Sequence, residues 1–147
     1  VVVLLDSLAA TQALILTQND PLLSTAIAIS LGAIPGALSR YYLMLYLVQR
    51  WGNNFPYGTL AINLSGALLM GFFTTLFIEQ VITSSKLQLL ITTGFLGSYT
   101  TFSTYALDTS ILWHSGNRVK AFFYWAGSVV LGGICLAIGI SLAQMVR

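Results

Sequence analysis

Apolar residues run along this chain in long blocks, at about 22–48, 57–78, 85–112 and 119–145, with short polar connections between them. Each block exceeds the roughly 20 residues that an α-helix needs to cross the hydrocarbon of a bilayer. The pattern predicts four membrane-spanning helices. Punctuation supports the boundaries. Asp20-Pro21 offers an acidic cap followed by proline at the first helical position. Ser85-Lys86-Leu87-Gln88 fits a capping box for the third block, and Asn117 fits a cap for the fourth. Trp51, in the connection after the first block, suits an interfacial anchor. Residues 1–20 do not fit the pattern. Asp6, Thr11, Gln12 and Gln18 interrupt their apolar runs, and the stretch lacks the positive start of a signal peptide. They are read as an N-terminal extension, either lying on the membrane surface or loosely ordered, ahead of a single transmembrane domain at 21–147.

The blocks are not uniformly greasy, and their polar interruptions carry the information. Gly94-Phe95-Leu96-Gly97-Ser98-Tyr99-Thr100-Thr101-Phe102-Ser103-Thr104-Tyr105 stands inside the third block. Lipid cannot satisfy loose backbone groups, so a break there must be buried in protein or line a wet cavity. The expected break is at Gly97 and Ser98, with Phe102 and Tyr105 beyond it on one helix face. In the first block Pro35 removes a backbone donor and predicts a bend. Gly32, Ala33, Gly36 and Ala37 make a small face for close helix packing. Arg40 has two readings: it snorkels to the interface near Tyr41 and Tyr42, or it faces a partner or water. In the second block Thr59, Asn63 and Gly66 share a face. Asn63 has two readings as well, a helix–helix hydrogen bond or a pore amide presenting donors to an anion. Tyr124, Ser128 and Gly132 draw a narrow polar line along the fourth block, although such hydroxyls often only back-bond to their own helix. Gly132 and Gly133 would permit close packing. Asp108, near the end of the third block, is expected at the interface, where it could pair with a basic residue.

Composition narrows the function classes. Charged residues make up 7% of the chain and the mean hydropathy is +0.84, which would leave a soluble domain without a solvated surface. A net charge of +2, scattered along the chain, gives no footprint for nucleic acid. The lone Cys135 allows no intrachain disulfide, and the only histidine, His114, falls in a loop. No phosphate-binding loop or dinucleotide fingerprint is present, and no nucleophile–base pair can be assembled. Enzyme chemistry is therefore not expected. Inside the apolar blocks stand Asn63, hydroxyls, aromatic ring edges and Arg40. These donors and positive ring rims favour an anion path over a cation path. Four spans place both termini on one side, with Lys86 and Arg147 there against Arg50, Arg118 and Lys120 on the other. So even a balance sets almost no orientation and suits a protein inserted both ways up.

The central stretch resembles the signature of the Fluc (CrcB) fluoride channels. So do Gly36-Ala37-Leu38-Ser39-Arg40-Tyr41 and Gly58-Thr59-Leu60-Ala61-Ile62-Asn63-Leu64-Ser65-Gly66, and the order and spacing of all three agree from about residue 22 to the end. The resemblance implies an all-α integral membrane protein of four helices, the third broken mid-membrane, paired as an antiparallel, dual-topology homodimer in a plasma or inner membrane. It implies passive export of fluoride through pores along the dimer interface. It also implies a structural Na+ between the broken helices, held by backbone carbonyls that fall on Gly97 and Thr100. The family's pore phenylalanines fall on Phe102 and Tyr105, its pore asparagine on Asn63, and its polar line on Tyr124 and Ser128. Thr59, Ser103 and Arg40 complete the expected ion pathway. Two positions depart from the family pattern: Tyr105 adds a phenol where a phenylalanine is usual, and Ser98 stands where a second glycine is frequent. The competing function is a proton-coupled exporter of the small multidrug-resistance type, also four-span. That class requires a carboxylate within its first span, and here the acidic residues lie outside the first block. A non-transporting assembly subunit, its polar seam serving only packing, is the third reading.

Overall fold

The computed structural model describes residues 21–146, all of its regular structure helical. The N-terminal extension expected over 1–20 lies outside the described residues. Helix α1 spans Pro21–Trp51, α2 spans Tyr57–Ile78, α3 covers residues 85–99, α4 spans Phe102–His114 and α5 spans Arg118–Met145. Turns at positive φ, at Gly52 and Gly116, close the connections after α1 and α4, where glycine carries no Cβ penalty.

Helix α1 continues through Pro35. Its small face packs as the glycine spacing predicts. A Cβ on Gly32 would collide with the backbone of Leu90 and Phe95, and one on Gly94 with the backbone of Ile29. Helices α1 and α3 thus approach backbone to backbone. Helix α2 packs chiefly on α5, where Gly71 meets the carbonyl of Leu136 and Gly139 meets that of Leu68. Gly132 and Gly133 make no close packing within the subunit: a Cβ added at either would have nothing within 4 Å.

The third apolar block does not fold as one plain α-helix. It is capped by Ser84, whose hydroxyl accepts from the Leu87 N–H at 3.3 Å, one residue before the expected capping box. Residues Leu89–Leu96 then widen into π-type turns, a geometry that recurs at functional sites. Gly97 is still helical, at φ −63° and ψ −35°. The helix stops at Tyr99 and restarts at Phe102, so the interruption falls on Thr100 and Thr101, both extended, rather than on Gly97-Ser98. Ser98 is compatible with a helix because its hydroxyl donates to carbonyls of Ala33 and Gly94, at 2.9 and 2.8 Å. The interruption also changes neighbours: α3 leans on α1, and α4 leans on α5.

Leu22–Trp51, Tyr57–Ile78 and Arg118–Met145 are each long and apolar enough to cross a membrane, yet only 17%, 33% and 11% of their most apolar windows are buried inside the subunit. Apolar surface on that scale is not stable against water and belongs against lipid or another protein. The chain is a multi-pass membrane protein.

Candidate ion site at the helix interruption

The interruption is held from the side by Asn63 of α2. Its Nδ2 donates to the carbonyl of Thr101 at 3.0 Å, and its Oδ1 accepts from the N–H of Thr101 at 2.9 Å. A side-chain amide carries the same donor and acceptor as a peptide and can pair with one in this way. The helix–helix reading of Asn63 is therefore realised in the subunit. One Nδ2 hydrogen is used, and the second remains for another acceptor. Thr101 also caps α4: its hydroxyl accepts from the Thr104 N–H at 3.3 Å.

Beyond the interruption the aromatic residues gather. Phe102 and Tyr105 have ring centroids 5.8 Å apart, and Tyr105 lies 5.5 Å from Tyr124. Phe55 meets Tyr124 edge to face at 5.5 Å. Phe102 is 79% exposed, whereas Tyr105 is buried and its hydroxyl donates to the carbonyl of Trp125 at 2.8 Å. The phenol that departs from the usual phenylalanine is thus tied to the backbone of α5. A cavity of about 380 Å³ lies against this group, bounded by Asn63, Gly66, Thr101, Phe102 and Tyr105.

The remaining expected site residues divide. Thr59 is buried and donates to Asp108 Oδ2 at 2.6 Å. Ser128 donates to the carbonyl of Tyr124 at 2.6 Å, the back-bonded state common in apolar helices. Ser103 is exposed, 3.3 Å from the Thr101 hydroxyl. Arg40 stands at the opposite side of the interruption. Half-buried, it reaches the Thr100 carbonyl with a long 3.4 Å contact from Nη1, so it faces protein rather than only the membrane surface.

Three residues outside the expected set belong to this region. Asp108 pairs with Thr59 instead of a basic side chain and borders a second cavity, of about 410 Å³, between α1, α2 and α4. Its position three residues after Tyr105 could have signalled the shared face. Thr101 could have been found from its place ahead of a new helix, where a hydroxyl caps. Phe55 had no local signal, because a loop brings it to Tyr124. Among the described residues, the buried side-chain polar atom left without a hydrogen bond is the hydroxyl of Tyr124, whose polar neighbours are Thr59 and Asp108. Thr59 and Asp108 stand close enough to interact with it, so this hydroxyl is under-satisfied and not isolated.

A family model described as "CrcB-like protein, Camphor Resistance (CrcB)" matches residues 27–140. The chain is 58% identical over 128 residues to the "Fluoride-specific ion channel FluC" of Trichormus variabilis, covering 86% of this chain and 93% of the relative. It is 50% identical to the protein of that name from a Synechococcus species, covering 87% of this chain and 98% of the relative. A Synechocystis protein of the same name is 46% identical, with 83% and 94% covered. The matched span contains the small face of α1, the Asn63 clamp, the interruption and the ring group, and on that extent and identity the chain belongs to the CrcB-like family.

Proposed function

We propose that this protein is a fluoride-selective channel that lets fluoride leave the cell passively and so lowers its cytoplasmic concentration. The observation that carries the reading is the identity to proteins named fluoride-specific ion channels across nearly their whole length. The chemistry of the region supports it. Fluoride is small and strongly hydrated, and a pore must replace its water with donors at close range. Asn63 keeps an N–H to offer, and Phe102 and Tyr105 present ring edges, the positive rim of an aromatic quadrupole. No full positive charge sits among these groups, so a bound anion can leave. Arg40, on the far side, raises the local potential without gripping the ion.

The assembly proposed is an antiparallel homodimer of four-span subunits, α3 and α4 together forming the third span. The 79% exposure of Phe102 and the open faces of Gly127, Gly132 and Gly133 support a second copy as the missing wall. A structural Na+ held by the carbonyls of Gly97 and Thr100 belongs to the same proposal. In an unbroken helix the Gly97 carbonyl would accept from the Thr101 N–H, and the Thr100 carbonyl from the Thr104 N–H. Those N–H groups bond instead to Asn63 and to the Thr101 hydroxyl. The Gly97 carbonyl released in this way is a suitable donor for a hard cation, and the Thr100 carbonyl would exchange its long 3.4 Å contact with Arg40 for the ion.

Fluoride efflux from liposomes, with and without a proton gradient, tests the function. Fluoride flux that follows the membrane potential and ignores the proton gradient is expected. Flux that required the gradient would favour a coupled exporter, and chloride flux comparable to fluoride would overturn the proposal.

A further inference from the structure

Asn63 is a donor on the proposed anion path, yet its own hydrogen bonds tie it to the backbone at the interruption. A Thr101 N–H in lipid or protein must find an acceptor, since an unsatisfied buried amide is costly. Two acceptors compete for it. One is the Gly97 carbonyl four residues back, which would heal the helix. The other is Asn63 Oδ1, which has it at 2.9 Å. The Thr101 carbonyl is held by the same amide at 3.0 Å, so the clamp fixes both ends of the peptide groups that turn the chain from α3 into α4. Asn63 comes from α2, whose own position is set by its packing on α5. The interruption is thereby imposed from a neighbouring helix and is not a property of Gly97-Ser98, which remain helical.

We propose that Asn63 is a positioning residue for the cation site: by holding the Thr101 peptide groups away from α3 it keeps the Gly97 carbonyl free for a hard monovalent cation. This rests on the reading of Gly97 and Thr100 as sodium ligands. Coupling follows, because a cation that stabilises the open interruption also stabilises the pose of Asn63, and linkage makes that effect reciprocal. The single amide then serves two ions. Its Oδ1 keeps a carbonyl available on the cation side, and its second N–H remains for fluoride on the anion side.

The test is the thermal unfolding midpoint of the purified full-length protein, titrated with sodium chloride against N-methylglucamine chloride at constant ionic strength. A ligand that binds only the folded state raises the midpoint as it is added. In the unsubstituted protein the midpoint rises with sodium. Asn63→Leu, similar in bulk and without polar atoms, is expected to abolish that rise or move it to roughly tenfold higher sodium, the effect of losing one buried hydrogen bond at the site. Asn63→Ser, too short to span both Thr101 groups, is expected to act the same way and serves if the leucine variant does not fold. Thr59→Val is expected to retain the sodium-dependent rise, since Thr59 bonds to Asp108. If the leucine or serine variant titrates like the unsubstituted protein, Asn63 does not position the site and this inference alone fails. No sodium-dependent rise in the unsubstituted protein would overturn the sodium reading and the inference with it.

Discussion

At the scale of single residues, the clearest expectations concern Asn63, Phe102, Tyr105 and Thr100. Asn63→Asp replaces the NH₂ donors with a charge that repels fluoride. Loss of a hydrogen bond to an ion alone is worth about 1.5–3 kcal/mol, so flux should fall by roughly tenfold to a hundredfold or more. Phe102→Ile keeps bulk but removes the quadrupole, and its flux should fall as well. Both are read by fluoride efflux from liposomes after the oligomeric state of each variant is checked. Tyr105→Phe should still conduct, because the ring edge survives. It should lower the unfolding free energy by about 1 kcal/mol, since the hydroxyl now bonds to the Trp125 carbonyl. A Tyr105→Phe channel that is silent would mean the phenol itself contacts the ion. Thr100→Ala should be mild. The Thr100 hydroxyl only back-bonds to the Leu96 carbonyl at 2.9 Å, and the proposed ligand is its backbone oxygen. Efflux and assembly abolished by Thr100→Ala would remove that assignment.

At the scale of elements, the glycines fall into two populations that local sequence does not separate. Gly94 sits where a Cβ would strike the Ile29 carbonyl, on a backbone that cannot rotate away. Gly94→Ala should therefore force α1 and α3 apart, at a cost of about 1–3 kcal/mol typical of overpacking. Gly127 has nothing within 4 Å of its Cβ position within the subunit. Gly127→Ala should leave the subunit's fold intact, and alanine even favours the helix by about 0.5–1 kcal/mol. Thermal unfolding of the two variants, side by side, checks the contrast. If the open face of α5 packs on a second copy as proposed, Gly127→Ala acts on the dimer and not on the subunit, and a parallel measurement of oligomeric state separates the two.

The whole molecule has the largest unmet requirement. Helices α1 and α5 leave most of their apolar surface outside the subunit, and Phe102 projects from it. Lipid can cover aliphatic side chains, but it cannot complete a path for an anion. An antiparallel second copy fits the near-even division of Lys and Arg between the two sides. The expected result is labelling from both faces of the membrane: with Cys135 replaced by serine and a single cysteine placed in the 115–117 connection, an impermeant thiol reagent should reach part of the protein from each side. Modification from one side only would rule out dual topology.

How much of this was legible beforehand depends on the range of the physics involved. Apolar block length is a local property, and the second block, at 57–78, coincides with α2 to the residue. The small face of α1 was also readable, because glycines at helical spacing have few other uses in a span. The sequence by itself therefore determined the membrane class, the main helices, the identity of the polar residues and, through its ordered motifs, the family. It did not determine where the helix of the third block is interrupted. Gly97-Ser98 carries the stronger local signal, but Ser98 meets its hydrogen-bond needs within the helix and against Ala33. The Thr101 N–H bonds outside its own helix, to Asn63, 38 residues away. Nor could spacing decide whether Asn63 and Arg40 face protein or lipid, or that Asp108 would choose Thr59. Those outcomes turn on which donor reaches which acceptor first in a medium that supplies no water, and only the tertiary structure settles that competition.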